Sequence, residues 1–354
     1  MPVGPSARSG TLDAREQRRA YKNEETMIRH QSIAFGFALL ASGALAPIHA
    51  FSQEKYPARP IRLVIPFPPG GIMDTIGRQW VERVTPFLGT IVVDNRSGAG
   101  GVVGAIEVAH ARADGYTILM GNTSTQVLNP AAMRKPPYDP ARDFATIDII
   151  ALSATSILVH PSLPVRTLKE LISYARANPG KLSYGSAGAG TMTHLAGEMF
   201  KQRAGGLNIV HVPYKGVGLA TADLLGGNIP MMTPHVNAHF LSLHRAGKLR
   251  ILAVNAPARL KAAPDIPIAN EVLPDLVAQL FSGIFAPDGT PTAIVERIAQ
   301  ASRKALADPS FQKALIESGS EPVMDSSPGK AQQLLDQERK RLVPVIKATE
   351  FTLD

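Results

Sequence analysis

The 354-residue sequence contains no cysteine. That excludes a disulfide framework, a thiolate metal site and thiol catalysis, although exported proteins can also lack cysteine, so the compartment stays open. Basic residues clustered among aromatics, the pattern of a nucleic-acid binder, are also missing; Lys and Arg are dispersed along the chain. No internal repeat and no low-complexity segment is found. The uncharged, largely apolar stretch at residues 33–46 is too short to read as a membrane span. What remains is the composition of an ordinary soluble chain, 45% hydrophobic and 19% charged, with length for one large or two ordinary domains.

That apolar stretch fits a signal peptide better. Arg29 supplies a positive start, residues 33–46 the apolar region, and Ala50 a cleavage position with Ile48 two residues before it. A retained anchor is the alternative. Residues 1–26 are polar and unneeded by a signal peptide, so Met27 is an alternative start. Arg18-Arg19 lie too far upstream for a twin-arginine signal. The full chain carries net charge +8; without residues 1–50, which hold six basic and four acidic residues, the balance is +6. A mild positive field attracts small anions.

Residues 61–80, IRLVIPFPPGGIMDTIGRQW, read as strand, loop and helix. Ile61, Leu63, Val64 and Ile65 form a buried-strand run; Pro66 to Gly71 stop it; Asp74 marks the helix start, and Ile76, Trp80 and Val84 continue at helical spacing. Gly70-Gly71 before a helix lets the backbone approach a ligand and leaves the first helical N–H groups free for an anion. The loop holds no nucleophile, so it is built to hold rather than to react.

Strands at 90–94 and 116–120 with a helix at 105–113 continue the alternation, which points to an α/β fold with a parallel sheet. Residues 129–145 hold four prolines and read as a surface loop. Later strands are expected at 147–159, 182–184, 208–212, 229–233, 249–254 and 284–286. Helices are expected at 167–178, where Thr167 and Glu170 form a capping box, and at 194–203, 220–225, 293–307, 309–318 and 329–348.

A second Gly-rich turn, YGSAGAGTMTH at 184–194, repeats the strand–turn–helix arrangement. Two such loops suit a small acid held between two domains, with backbone N–H groups and the Ser186, Thr191 and Thr193 hydroxyls as donors. A nucleophile elbow at Ser186 is the rival. It needs Gly-x-Ser-x-Gly, and Tyr184 stands at the first glycine. Gly98 to Gly104 resemble a dinucleotide fingerprint but run one residue too long, with no acidic residue ending the next strand. His235 and His239 are spaced i, i+4, yet Val236 stands where a zincin needs Glu, and two histidines make half a site. No metal and no cofactor is expected. Lys215, between Tyr214 and Gly216, is a candidate partner for a carboxylate.

Several long segments, in order, together resemble the substrate-binding proteins of tripartite tricarboxylate transporters, the TctC/Bug-like family. They are residues 56–74, 92–122, 137–145, 182–200, 211–229, 247–254 and 286–291. The resemblance implies a periplasmic binding protein fold of type II-like kind, two α/β domains with a ligand cleft between them. Domain 1 would comprise 55–153 plus 276–354 and domain 2 would comprise 154–275, after removal of 1–50. It implies a periplasmic monomer, not an enzyme, that captures an organic carboxylate and delivers it to membrane permease subunits. A sensor feeding a signalling partner is the variant of that role. Carried over position by position, the ligand site would take Phe67, Gly70, Gly71 and Asp74 from the first loop and Ser186, Ala187, Gly188, Gly190 and Thr191 from the second. Thr123, Ser124, Tyr214, Lys215 and Gly216 are of second rank. Asp74 is expected to cap its helix, since an anion would repel it. Met73 replaces the family's usual small residue and is expected to touch the non-carboxylate end of the ligand.

Overall fold

The computed structural model describes Gly4, residues 56–349 and residues 351–353. The expected signal segment at 27–50 lies outside the described residues. The described residues from 56 onward form one compact unit built on two sheets.

In chain order the elements begin with β1 (Ile61–Ile65), α1 (Ile72–Leu88), β2 (Ile91–Asn95), α2 (Val102–Ala109) and β3 (Thr117–Asn122). A π-helical turn (Ser124–Leu128) leads into the short α3 (Asn129–Ala132). Then come β4 (Phe144–Ala154), β5 (Ser156–Val159), α4 (Leu168–Ala177), β6 (Leu182–Ser186), α5 (Met192–Arg203), β7 (Ile209–Pro213) and α6 (Val217–Leu225). The chain closes with β8 (Met231–Met232), α7 (Ala238–Arg245), β9 (Arg250–Val254), β10 (Gln279–Pro287), α8 (Thr292–Leu306), α9 (Pro309–Glu317), β11 (Ser320–Pro322) and α10 (Pro328–Ala348).

The first sheet runs β11-β4-β10-β3-β1-β2 and the second β7-β6-β8-β5-β9. β1 pairs in parallel with β2 and β3, and its four aliphatic side chains are fully buried, as a strand covered on both faces requires. α1 lies close on it: a Cβ on Gly77 would come within 2.6 Å of the Ile65 side chain. Trp80 Nε1 donates to Ser302 Oγ at 2.7 Å and ties α1 to α8.

The parallel sheet expected from the sequence is in fact mixed. β10 runs antiparallel to both β3 and β4, because it enters the first sheet from the opposite direction after the chain has built the second. Residues 129–145 are not simply a surface loop either. Asn129, Ala132 and Tyr138 are buried, and Tyr138 donates to the Thr125 carbonyl at 2.6 Å.

The chain passes between the sheets at Thr155 and between β9 and β10. There three segments knit together: Thr155 N donates to Ala278 O at 2.9 Å, Asn255 N to Thr155 O at 2.8 Å, and Ala278 N to Asn255 O at 2.9 Å. Asn255 Nδ2 adds a bond to Thr155 Oγ1 at 2.8 Å. These bonds tie the two sheets together at the crossing.

One group in the first sheet opposes its own burial. Asp148 on β4 is wholly buried, and neither carboxylate oxygen has a hydrogen-bond partner among the described residues. Burial pushes its carboxyl up to about 6, with Ser326, Ser302 and Arg303 nearby offsetting this only in part. The folded form therefore binds the proton more tightly than the unfolded chain, whose carboxyl titrates near about 3.9. Stability is full below that value and declines as pH rises through about 6. Asp148→Asn removes the charge at nearly constant shape. The variant is expected to be more stable than the parent at pH 8 by about 1–3 kcal/mol, with little difference at pH 4. Urea unfolding at both pH values checks this; a variant less stable at pH 8 contradicts it.

Candidate functional site

A cavity of about 590 Å³ lies between the loops of the two sheets. Four helix starts reach it. The first is α1, whose N-cap is Gly71 and carries no side-chain cap. The first-turn N–H groups of a helix have no partner within it, and here Ile72 and Met73 line the cavity.

Asp74 prepares that loop without lining the cavity. Its carboxylate accepts from Gly70 N at 3.0 Å, from Arg78 Nε at 3.0 Å and from Asn95 Nδ2 at 3.0 Å. Asn95 Nδ2 also donates to the Phe67 carbonyl at 3.0 Å, so both ends of the loop are pinned. Burial raises the carboxyl, but the bonds from Arg78, Gly70 and Asn95 outweigh it and hold the group below the usual carboxylate range. Asp74 is thus not the N-cap residue expected from the sequence, since the N-cap is Gly71, three residues earlier. Phe67, Gly70, Gly71 and Met73 all line the cavity, and Met73 Sδ accepts from Ser282 Oγ at 3.3 Å.

The second start is α5, capped by Thr191, whose hydroxyl accepts from His194 N at 3.3 Å and donates to Gly188 O at 2.7 Å. Ala187 and Thr191 line the cavity with Thr193. Thr193 Oγ1 accepts from Ala187 N at 2.9 Å and so occupies one expected donor. Ser124 lines the cavity from the other side and reaches across to accept from Met192 N at 3.1 Å.

Besides Asp74, five of the sequence-predicted residues are not in the lining. Thr123 is buried beneath it, accepting from Phe281 N at 2.9 Å. Gly188 and Gly190 shape the second loop with φ of 130° and 77°, and Gly190 packs against Asn129 of the opposite half. Tyr214 donates to Asp223 Oδ2 at 2.6 Å. Ser186 is buried below the loop, where its hydroxyl accepts from Gly188 N at 3.1 Å and meets His211 Nε2 at 2.7 Å.

Two helix starts escaped the sequence reading in part. α6 begins after Gly216, and Lys215 and Gly216 line the cavity together with Val217 and Leu219. α7 begins after Asn237, whose side chain accepts from Phe240 N at 2.9 Å, and brings His239 and Phe240 to the wall. Asn before an apolar helical run was the available mark of this helix. His235 lies before α7 rather than on it, so the i, i+4 spacing does not set the two histidines on one helix face. Among the described residues, Lys215 is the one Lys or Arg of the lining, and no Asp or Glu belongs to it. With four N-terminal dipole ends turned toward one space, the wall favours negative charge.

Residues 76–351 match the model of the tripartite tricarboxylate transporter family receptor. The chain belongs to this family. It is 32% identical to protein BugT of Bordetella pertussis over 324 residues, covering 89% of this chain and 95% of BugT. Among solved structures, R. palustris Rpa4515 with adipate shares 34% identity and superposes with a TM-score of 0.79, over 83% of this chain and 98% of that one. MatC from Rhodopseudomonas palustris with bound malate shares 28% identity at a TM-score of 0.77, over 82% and 100%. The periplasmic binding protein BugD shares 31% at 0.78, over 84% and 99%. The family consists of receptors, and its fold is the two-sheet α/β architecture described above.

Within this receptor the Ser186–His211 pair is poorly suited to nucleophilic chemistry. His211 stacks between the Tyr184 and His194 rings, with centroids 4.8 and 3.8 Å away. Burial, then neighbouring His194, lowers His211 to about 3, far from the neutral range in which a general base is effective. The pair instead fixes the second loop from below.

Proposed function

We propose that this receptor captures a small organic carboxylate in the cavity between its two sheets and presents it to a membrane permease. The observation that carries the reading is the convergence of the α1, α5, α6 and α7 starts, with Lys215 and, among the described residues, no carboxylate, on one cavity. The relatives solved with adipate and malate support the ligand class. The site residues proposed from the sequence act in two ranks on this reading. Phe67, Gly70, Gly71, Met73, Ser124, Ala187, Thr191, Lys215 and Gly216 face the ligand, while Asp74, Thr123, Ser186, Gly188, Gly190 and Tyr214 hold the loops.

The two sheets serve as the cores of two domains, 55–153 plus 276–354 and 154–275, which rotate about the Thr155, Asn255 and Ala278 crossing. Closure removes water from around the bound acid and strengthens its hydrogen bonds. The ligand shifts the open–closed equilibrium toward the form that the permease reads. The protein works in the periplasm as a monomer and catalyses no reaction.

Ser186→Ala separates binding from hydrolysis. In a receptor it loosens the second loop, and affinity for the bound acid is expected to fall about three- to tenfold, the worth of one hydrogen bond. Calorimetry on parent and variant, together with an ester-hydrolysis assay, checks this. Turnover in the parent that disappears in Ser186→Ala would replace the receptor reading with an enzyme.

A further inference from the structure

The cavity wall is rich in donors, and one imidazole on it is set up as an acceptor. His235 lines it, and its backbone is fixed where the chain meets the hinge: Thr155 and His235 form an isolated antiparallel bridge, and Val236 N donates to Ala154 O at 2.9 Å. The imidazole Nδ1 lies 3.2 Å from the Ser153 carbonyl oxygen. A carbonyl only accepts, so Nδ1 carries the hydrogen. Burial disfavours a second proton and holds the ring at about 4. Nε2 is left with a lone pair, and no protein donor among the described residues reaches it.

A neutral imidazole with Nδ1 protonated offers its other nitrogen only as an acceptor. A ligand made of carboxylates and hydrocarbon offers only acceptors in return. It would leave Nε2 stripped of water and unpaired, which weakens binding, or it would have to bring a proton to the ring. Lys215, the charged group of the lining among the described residues, and the four helix starts favour an anion, and His239 is the other titratable group on the wall.

We infer that His235 is a specificity-determining residue that accepts a hydrogen bond from the ligand, so that the cavity selects carboxylic acids bearing a hydroxyl or N–H donor besides the carboxylate. This inference rests on the carboxylate reading above and narrows it. Sites built to pair a substrate hydroxyl reject the analogue that lacks it, because their own polar group is left unpaired.

The test is titration calorimetry with matched acids: butanoate, hexanoate and benzoate against 4-hydroxybutanoate, 6-hydroxyhexanoate and 4-hydroxybenzoate, with succinate, adipate and terephthalate as the diacid arm. At least one hydroxy acid is expected to bind on the order of tenfold tighter than its unsubstituted partner. His235→Phe, which keeps the ring and removes the acceptor, is expected to bring the hydroxy acid down to the level of that partner. The comparison on the parent protein stands without the variant. Acids that bind without discrimination within every pair overturn the role of His235 and leave the carboxylate reading intact. A preference for a diacid with uptake of one proton, measured in buffers of different ionisation enthalpy and lost in His235→Phe, shows an imidazolium donor and also overturns it. Failure of every acid to bind removes the carboxylate reading and this inference with it.

Discussion

Gly190→Ala is expected to lower ligand affinity by a hundredfold or more while the free protein remains folded. Gly190 has φ of 77°, and a Cβ there would stand 2.5 Å from Asn129 Oδ1 and 2.9 Å from Leu353 Cδ1. Asn129 belongs to the first half and Gly190 to the second, so the clash falls on a contact between the halves. Asn129 cannot simply retreat, because its Nδ2 donates to Gly100 O at 3.0 Å, and Gly100 itself faces the Ala189 carbonyl without room for a side chain. On the proposed opening and closing of the cleft, raising the closed form by about 3 kcal/mol relative to the open one reduces apparent affinity about a hundredfold. Part of the cost is backbone strain alone. Gly247→Ala isolates that part: its φ is 67° and nothing lies within 4 Å of the added Cβ. Calorimetry on both variants is expected to show the loss for Gly190→Ala and near-parental affinity for Gly247→Ala. Equal affinities in the two would mean that this contact plays no part in closure.

Asp74→Asn carries the second large effect. The substitution keeps the shape but replaces one acceptor oxygen by an NH2 group among donors from Gly70, Arg78 and Asn95. One of those donors must lose its partner in a buried setting, which costs about 1–3 kcal/mol. Fold stability is expected to fall by that amount at neutral pH. Affinity is expected to fall at least tenfold as well, because the Phe67–Gly71 loop is no longer held from both ends. The pH dependence has a definite sign. The folded carboxyl sits below its usual range, so its contribution is present above about pH 4 and is lost as pH falls further. Parent and variant should therefore draw together in stability as pH falls further below that point. Urea unfolding at pH 7 and pH 3, with calorimetry at pH 7, reads both effects; an unchanged variant at pH 7 would remove Asp74 from its positioning role.

Legibility from sequence followed the range of the interactions. β1 and α1 were readable because Ile61 to Ile65 and Ile76, Trp80 and Val84 announce their periods locally, and the Thr167 cap on α4 was readable for the same reason. The mixed first sheet was not, because the antiparallel place of β10 depends on where the chain returns after some 120 residues in the second sheet. Of the site, the two Gly-rich loops were marked by composition. The start of α7 was hidden because the His235–His239 spacing mimics a helical period that the structure does not use, while Asn237 carries the cap. The Ser186–His211 pair joins β6 to β7 across a sheet register, Ser186 opposite Pro213 and Tyr184 opposite His211, which no local pattern encodes. Asp74 was legible as a helix-start residue, but its bond to Gly70 N and its link through Asn95 to Phe67 depend on β2 lying beside β1.

The most direct test of the carboxylate-receptor claim is a thermal-shift screen of protein refolded free of co-purified ligand, against mono-, di- and tricarboxylates that include aromatic acids and amino acids. A ligand that binds only the folded cavity raises the melting temperature, by about 2.7 kcal/mol of added stability at a hundred times its dissociation constant. The expected result is a clear rise with one chemical series of acids, abolished in Gly190→Ala. No rise with any acid, from protein that unfolds cooperatively, would contradict the claim.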